Sequence, residues 1–304
     1  MTSYCPTCRE IVPSGTPILN SGVFLSKMCE KCGMSITKIE SAPHFYHRQE
    51  LLPRTNSQND CYMIDITGKC TAGCKSCYNR GGDDLLLMDF ARELLTVPTG
   101  SRVLISGGEP LEHANCAGFV EMAAIAGMNP VLLTNGAGLT PQVLDELLDA
   151  GLSVDGVPQV SVSLGLPGYN RTHKQALENL QQIKVAMIAF TVSTLADLDT
   201  VQSLSESLDG HFDNICIRTA WDGTTPGLYL SDMARYIGGE LLRNPTLHGY
   251  RNAQIIKHGI QYNLLSWPTL EQWDSERYTG RGVWYRDDNV VNTLVKRHVA
   301  ALPL

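Results

Sequence analysis

Between residues 61 and 242 the sequence alternates short apolar runs with longer amphipathic stretches. Turn residues bound each apolar run, as is typical of buried strands, and each longer stretch carries apolar residues at helical spacing. Such alternation predicts an α/β fold with parallel strands joined by right-handed crossovers. The predicted strands are 62–66, 102–105, 130–134, 159–163, 184–192 and 214–218. The predicted helices are 84–95, 116–125, 141–150, 174–183, 197–208 and 231–242.

A cysteine-rich loop follows the first predicted strand. Cys70, Cys74 and Cys77 are spaced C-x3-C-x2-C, and no fourth cysteine lies on this loop. Three thiolates on one loop can hold three irons of a four-iron cluster and leave the fourth iron open to another ligand. A zinc site and three idle cysteines are the alternatives. Zinc usually takes four ligands, and closely spaced thiols in a reducing compartment are seldom idle.

This loop resembles the signature of the radical S-adenosylmethionine (SAM) superfamily, in which an aromatic residue, here Tyr78, follows the third cysteine. The Gly-Gly-Glu-Pro sequence at 107–110, after the second predicted strand, resembles that family's second motif. The resemblance covers roughly residues 62–266. It implies a partial (β/α)6 TIM-like barrel, a 4Fe-4S cluster on the three cysteines, and SAM as the second cofactor.

The resemblance also implies which residues contact SAM, since active groups of such barrels lie at the carboxyl ends of the strands. The amino and carboxylate groups of SAM would chelate the open iron, with the Gly-Gly-Glu motif receiving the ammonium. Asn135 and Ser163 are expected at the ribose hydroxyls or the carboxylate, and Tyr78 near adenine. Arg218 is the available cation for the carboxylate, with an internal ion pair as its alternative role. The predicted SAM contacts are Tyr78, Ser106, Gly107, Gly108, Glu109, Asn135, Ser163 and Arg218.

The reaction implied by the resemblance is reductive cleavage of SAM to a 5'-deoxyadenosyl radical, which abstracts hydrogen from a substrate. We expect a small polar metabolite or natural-product intermediate as substrate and a flavodoxin- or ferredoxin-type electron donor. The alternatives are a peptide-directed activase or modification enzyme, a tRNA-directed enzyme, and a non-catalytic metal-binding docking protein. Aromatic residues suited to substrate contact, or to packing of a lid, are Trp267, Trp273, Tyr278, Trp284 and Tyr285.

Residues 1–40 are predicted to form a separate four-cysteine module, similar to a zinc ribbon or rubredoxin. Cys5 with Cys8, and Cys29 with Cys32, form two C-x2-C knuckles with 20 residues between them. Such a pair fits a tetrahedral four-thiolate site, for which zinc is the default metal and a mononuclear iron the alternative. A segment this small would depend on its metal to fold. A structural role is therefore expected, with electron transfer or substrate docking as alternatives.

The remaining chain is divided into a linker at 41–60, a core barrel at 61–220, and an extension at 221–304 that contains the last barrel helix and a substrate-binding lid. No apolar stretch approaches the length of a bilayer span, and the first residues lack a basic and apolar leader, so we expect a cytoplasmic protein without a membrane partner. The net charge of -7 argues against a nucleic-acid partner. Outside the metal motifs lie Cys61, Cys116 and Cys216, of which Cys216, at a strand end, is the candidate catalytic thiol.

Overall fold

The computed structural model describes residues 2–5, 7, 8, 10–51, 61–74, 82–166, 171–220, 227–243, 251–266, 283–286 and 294–297. These residues form a small antiparallel sheet near the amino terminus and a large, mostly parallel sheet whose helices pack on one face. None of the helices in these ranges is long and apolar enough to cross a bilayer.

The amino-terminal sheet has five antiparallel strands. They are β1 (Thr2–Tyr4), β2 (Ile11–Gly15), β3 (Ile18–Leu19), β4 (Gly22–Cys29) and β5 (Gly33–Glu40). The long strand β4 is central, because β2 and β3 pair with one of its edges and β5 with the other. Its two small buried clusters contain few apolar residues, as expected for a module too small to fold on apolar burial alone.

Six consecutive parallel strands form the centre of the large sheet. They are β6 (Cys61–Thr67), β7 (Arg102–Gly107), β8 (Asn129–Thr134), β11 (Val160–Gly165), β12 (Val185–Val192) and β13 (Phe212–Thr219), with a two-stranded ribbon of β9 (Ser153–Val154) and β10 (Val157–Pro158) between β8 and β11. Each strand pairs with the next along the chain. The α/β fold class and the parallel order predicted from the sequence are confirmed.

The sheet extends beyond the six strands at both ends. The extending strands are β14 (Glu240–Arg243), β15 (Arg251–Lys257), β16 (Ile260–Ser266), β17 (Val283–Arg286) and β18 (Leu294–Arg297). β16 lies parallel to β13, whereas β15 and β14 continue antiparallel. At the opposite end, β17 pairs antiparallel with β6. The carboxyl-terminal strands therefore lie against both the first and the sixth parallel strand.

Seven α-helices occur in the described ranges. They are α1 (Pro43–Leu51), α2 (Leu87–Leu94), α3 (Cys116–Ile125), α4 (Pro141–Asp149), α5 (Arg171–Leu180), α6 (Leu195–Ser207) and α7 (Leu230–Ile237). Helix α6 begins with a capping box, in which Thr194 Oγ1 accepts from the Asp197 amide at 3.3 Å and Asp197 Oδ2 accepts from the Thr194 amide at 2.9 Å. A short 3-10 helix, Pro110–Glu112, follows β7.

The parallel strands present two chemically different faces, because successive side chains alternate. Residues such as Ile64, Ile215 and Ile217 share one fully buried core with the helices. Their neighbours point to the opposite side, which we call the inner face. Polar residues on the inner face include Asp65, Ser106, Ser161, Ser163 and Arg218. This arrangement places polar chemistry where the resemblance predicts an active site.

The structure differs locally from the sequence-based expectation. The helix predicted at 231–242 ends at Ile237, because Gly238 terminates it, and β14 follows. Residues 43–51, predicted to be an irregular linker, form α1, since Pro43 at the first helical position is preset for a helix. Phe45 packs against the large core and Tyr46 against the amino-terminal one, so tertiary contacts hold this helix. The helix predicted at 84–95 begins at Leu87 because Asp84 is engaged in a loop contact.

Candidate functional site

The predicted cluster loop leaves the sheet at the carboxyl end of β6 and is closed by polar contacts at its base. Thr67 Oγ1 donates to Asp84 Oδ1 at 2.7 Å and accepts from the Lys69 amide at 3.0 Å. Lys69 Nζ donates to Asp84 Oδ2 at 2.6 Å. These contacts, the one from Lys69 foremost, lower the pKa of Asp84. The segment that carries the three cysteines is thus tied together at both ends.

The cysteines that the structure describes on this loop are solvent-accessible. Cys70 and Cys74 are both exposed at the carboxyl edge of the parallel strands. Cys77 and Tyr78, predicted as the third cluster ligand and an adenine contact, lie outside the described residues. The two described thiols fit a cluster assembled from iron and sulfide, because each can be reached from solvent and both follow the same strand.

The glycine-rich turn after β7 lies directly against the base of the cluster loop. Gly107 has φ +130°, and a Cβ atom there would lie 2.3 Å from the carbonyl oxygen of Thr67. The Gly108 amide donates to that same oxygen at 2.7 Å, and the Glu109 amide donates to the Lys69 carbonyl at 2.7 Å. Only glycine permits this approach. The two motifs recognised in the sequence therefore form one hydrogen-bonded unit.

Glu112, which sequence reasoning missed, fixes the cluster loop closer to its cysteines. Its Oε1 accepts from the Thr71 amide at 2.8 Å and from the Thr71 hydroxyl at 2.7 Å. Thr71 directly follows the first cluster cysteine, and Glu112 ends the 3-10 helix that begins at Pro110. A carboxylate two residues beyond the Gly-Gly-Glu-Pro sequence was the available signal.

The Glu109 side chain is buried and joins the ends of β7 and β8. Oε1 accepts from the Thr134 hydroxyl at 2.6 Å and from the Leu111 amide at 3.1 Å, and Oε2 accepts from the Asn135 amide at 2.7 Å. Burial raises the pKa of Glu109, while these hydrogen bonds oppose the shift. A carboxylate offers about four acceptor positions. Three are used within the protein, so Glu109 has little capacity left for the predicted ammonium.

The turn after β8 is held by a second set of contacts. Asn135 Oδ1 accepts from the Ala137 amide at 2.9 Å, and Thr134 Oγ1 accepts from the Gly136 amide at 3.0 Å. The buried Asn179 side chain donates from Nδ2 to the carbonyls of Gly136 and Ala137, both at 2.9 Å. Because Asn135 Oδ1 already accepts a hydrogen bond, the side-chain nitrogen Nδ2 is the atom that remains to donate to a ligand such as a ribose hydroxyl.

An open surface depression of about 520 Å³ lies beside the cluster loop. Its size is that of pockets that hold small ligands and cofactors. The cluster loop, the turn after β8 and the first turns of α5 contribute its walls. The lining residues are Thr71, Ala72, Ala137, Arg171, Thr172 and Gln175. None of the predicted SAM contacts that the structure describes lines this depression.

Further along the sheet, the inner face carries the remaining predicted residues. Ser106 on β7 is buried. Arg218 on β13 reaches across β12 and donates from Nη2 to Ser163 Oγ on β11 at 3.1 Å. Cys216, two residues before Arg218, is buried, and burial raises the pKa of its thiol to about 11. A thiol with that pKa is protonated near neutrality, which disfavours the predicted catalytic role.

The four cysteines of the amino-terminal module come together as predicted. Their sulfur atoms all lie within 4.8 Å of one another, and Cys8 and Cys29 sulfurs are 3.5 Å apart. Amide donors of Cys8 and Thr7 lower the pKa of Cys5, whereas the neighbouring thiols raise the pKa of Cys32, as expected when several thiols share one small site. The four-cysteine cluster is confirmed, while its metal is not defined by the geometry.

A buried carboxylate joins this module to the large sheet. Glu40, the last residue of β5, is fully buried. Its Oε1 accepts from the amides of Ser41 and Ala42 at 2.8 and 3.2 Å and from the Ser231 hydroxyl, and its Oε2 accepts from the Ser231 amide at 3.4 Å. Ser231 lies in the first turn of α7, where a negative charge is favoured. The module is thereby fixed to the helix that follows the sixth parallel strand.

No protein-family model matches the chain. Two of its relatives align with about half of it. The PqqA peptide cyclase of Bradyrhizobium diazoefficiens is 26% identical over 162 residues, which cover 50% of this chain and 43% of that protein. The AdoMet-dependent heme synthase of Methanosarcina barkeri is 24% identical over 159 residues, which cover 48% of this chain and 45% of that protein. Both relatives are named as enzymes, which supports the predicted enzyme class.

These alignments span less than half the length of each relative. Among solved structures, Streptococcus suis SuiB bound to precursor peptide SuiA is similar with a TM-score of 0.42 and 10% identity, covering 78% of this chain and 68% of that chain. The same protein bound to S-adenosylmethionine is similar with a TM-score of 0.43 and 10% identity, covering 74% and 68%.

Proposed function

We propose that the chain is a radical SAM enzyme whose substrate is a peptide. When bound, a reduced 4Fe-4S cluster and SAM supply a 5'-deoxyadenosyl radical that abstracts hydrogen from the substrate. The observation that carries this proposal is the hydrogen-bonded unit of two motifs, in which Thr67 and Lys69 at the base of the cysteine loop receive the amides of Gly108 and Glu109. Electrons would come from a flavodoxin- or ferredoxin-type donor.

The residues of this chain would hold and orient the two groups. Cys70, Cys74 and Cys77 would bind three irons, and the turn at Gly107 and Gly108 would offer backbone carbonyls to the ammonium of SAM. Thr71, placed by Glu112, fixes the wall between the cysteines and the neighbouring depression. Rigid placement matters because a primary alkyl radical attacks the nearest C–H bond, and misorientation would misdirect the reaction.

The peptide is preferred to the small polar metabolite expected first from the sequence. The support is the name of the Bradyrhizobium diazoefficiens relative, a PqqA peptide cyclase, together with a relative of the same name from Ruegeria pomeroyi that is 27% identical over 165 residues. The heme synthase relative makes a tetrapyrrole the second candidate substrate. A tRNA substrate and a purely docking role have no comparable support.

For the amino-terminal site we propose a structural zinc ion. Four thiolates in mutual reach suit tetrahedral zinc, and the two buried cysteines, Cys5 and Cys29, lie in one of the module's small cores. Lys27, itself buried, lies near Cys5, where its ammonium would offset the charge of a four-thiolate site. Metal analysis of protein purified without added iron distinguishes zinc from iron.

The catalytic proposal is tested by Cys74→Ala with Cys116→Ala as the matched control. Cys116 is a buried residue of α3 that belongs to neither cysteine motif. After anaerobic reconstitution and reduction with dithionite, 5'-deoxyadenosine formed from SAM is measured. We expect loss of product in Cys74→Ala and retention in Cys116→Ala. Full SAM cleavage by Cys74→Ala would contradict the cluster assignment.

A further inference from the structure

Arg218 is a cation on the inner face with an incomplete set of partners. Its neighbours Ile215 and Ile217 point to the helices, so the alternation of the strand turns Arg218 and Cys216 to the inner face. Nη2 donates to the neutral hydroxyl of Ser163, and Nε is buried without a hydrogen-bond partner among the described residues. A guanidinium has five N–H donors, and a buried donor left unpaired is destabilising.

No carboxylate of the described residues forms an ion pair with this guanidinium. None of the ion pairs found among the described residues involves Arg218. Opposite Arg218 in the strand register are Thr191 of β12 and Leu265 of β16, neither of which carries a charge. A partly buried arginine is normally matched by a carboxylate or phosphate, which bind its planar fork through two parallel hydrogen bonds.

We infer that Arg218 binds a carboxylate of the substrate through its terminal nitrogens, in an orientation fixed by the hydrogen bond from Nη2 to Ser163. This inference rests on the proposed function and narrows it to peptides that carry an acidic group beside the reacting position. The specificity would be strong, since an amide in place of the carboxylate leaves the charged donors poorly matched.

The position of Arg218 separates this carboxylate from that of SAM. The two cofactor motifs lie at the ends of the adjacent strands β6 and β7, whereas Arg218 lies on β13, four strands beyond β7 in the sheet. The resemblance places the SAM carboxylate on the open iron, which belongs to the β6 loop, with Asn135, Ser163 and Arg218 as candidates for its further contacts. Arg218 is therefore available to a second carboxylate, contrary to its sequence-based assignment to SAM.

The test uses three small probes on the reconstituted full chain with SAM bound. N-acetyl-L-glutamate α-amide carries a side-chain carboxylate, N-acetyl-L-glutamine carries an α-carboxylate, and N-acetyl-L-glutamine amide carries neither. Affinities are measured by saturation-transfer NMR, and SAM affinity by equilibrium dialysis. The variants are Arg218→Gln and Arg218→Lys, with Arg235→Gln as an exposed arginine control on α7. Thermal melting verifies that each variant folds.

We expect at least one acidic probe to bind about tenfold more tightly than the neutral amide, as one charge-assisted pair provides. Arg218→Gln should abolish this discrimination, Arg218→Lys should reduce it because a point charge lacks the fork, and Arg235→Gln should retain it. SAM affinity should stay the same in all variants. Tighter binding of N-acetyl-L-glutamate α-amide would indicate a side-chain carboxylate as the ligand. Tighter binding of N-acetyl-L-glutamine would indicate a chain-terminal carboxylate.

Two outcomes overturn the inference. Equal binding of acidic and neutral probes by the unaltered chain would mean that no carboxylate site exists. A tenfold loss of SAM affinity in Arg218→Lys or Arg218→Gln, with discrimination between probes unchanged, would assign the residue to SAM. Neither outcome touches the catalytic proposal, which is tested by 5'-deoxyadenosine formation in the Cys74 variant.

Discussion

Glu112 accepts hydrogen bonds from both the amide and the hydroxyl of Thr71, at 2.8 and 2.7 Å. This pairing links the helical turn after the Gly-Gly-Glu-Pro sequence to the residue that follows Cys70. Glu112 belongs to neither motif, yet its carboxylate holds the cysteine loop beside Cys70, where the loop must stay rigid. The predictions below follow from contacts of this kind.

Glu112→Ala should loosen the cluster loop without unfolding the protein. Loss of two partly exposed hydrogen bonds is expected to speed iron release to a chelator by about two- to fivefold, since each such bond contributes about 1 kcal/mol or less. The measurement is iron release from the reconstituted protein. Glu146→Ala, an exposed residue of α4, is the control. Equal rates of iron release in the two variants would show that Glu112 does not stabilise the cluster loop.

Gly107→Ala should be strongly destabilising because the new Cβ meets the Thr67 carbonyl oxygen at 2.3 Å. Gly100, at φ +83°, has no atom within 4 Å of its virtual Cβ, so Gly100→Ala isolates the backbone strain alone. We expect about 1 kcal/mol of destabilisation for Gly100→Ala and about 3 kcal/mol or more for Gly107→Ala. Urea unfolding provides both values. Similar losses would mean that the close approach does not matter.

Glu40→Ala should weaken the attachment of the four-cysteine module. The substitution leaves the amides of Ser41 and Ala42 and both donors of Ser231 without their buried acceptor, which is expected to lower the free energy of unfolding by about 2–4 kcal/mol. Glu10→Ala, on the exposed surface of the same module, should change it little. A double-mutant cycle with Ser231→Ala should show coupling, and strictly additive losses would contradict the contact.

His173 should make stability depend on pH. Its Nε2 accepts from the Gly165 amide at 3.0 Å, and burial lowers its pKa below the usual 6.5. A lowered pKa means that the unfolded chain binds the proton first, so stability is full above about pH 6.5 and falls as the pH drops below it. His173→Gln keeps an acceptor that does not titrate. We expect the free energy of unfolding of this variant to fall less than that of the unaltered chain between about pH 7.5 and about pH 5.

The matched control for this pH dependence is His44→Gln, on the exposed side of α1. It should decline with falling pH as the unaltered chain does. Unfolding by urea is followed at each pH under anaerobic conditions. Parallel declines in the His173 variant and the unaltered chain would show that other groups cause the pH dependence.

Much of the fold follows from patterns that are local in sequence. The first strand was predicted at 62–66 and spans Cys61–Thr67, and the fourth was predicted at 159–163 and spans Val160–Gly165. Buried parallel strands are short apolar runs in the sequence, so their positions can be predicted without knowledge of tertiary contacts. The spacing of the two C-x2-C knuckles likewise predicted that their four thiols lie together, because such a pair of motifs in a small module is typical of a metal site.

Features that depend on distant partners were not predictable from these patterns. α1 is stabilised by Phe45 and Tyr46 packing on two different cores, and its own sequence is polar and irregular. The role of Glu109 also required the structure, since its carboxylate binds Thr134 and Asn135 on the next strand. The sequence identified Arg218 as a cation but could not show that its partner is the neutral Ser163.

The central claim is that the Cys70, Cys74 and Cys77 loop holds a four-iron cluster with one iron open to SAM. Electron paramagnetic resonance of the dithionite-reduced, reconstituted chain, recorded before and after addition of SAM, tests it most directly. The account predicts a 4Fe-4S signal, absent in Cys74→Ala, whose shape changes when SAM is added because SAM binds the open iron. A cluster signal that SAM leaves unchanged, or the same signal in Cys74→Ala, would contradict it.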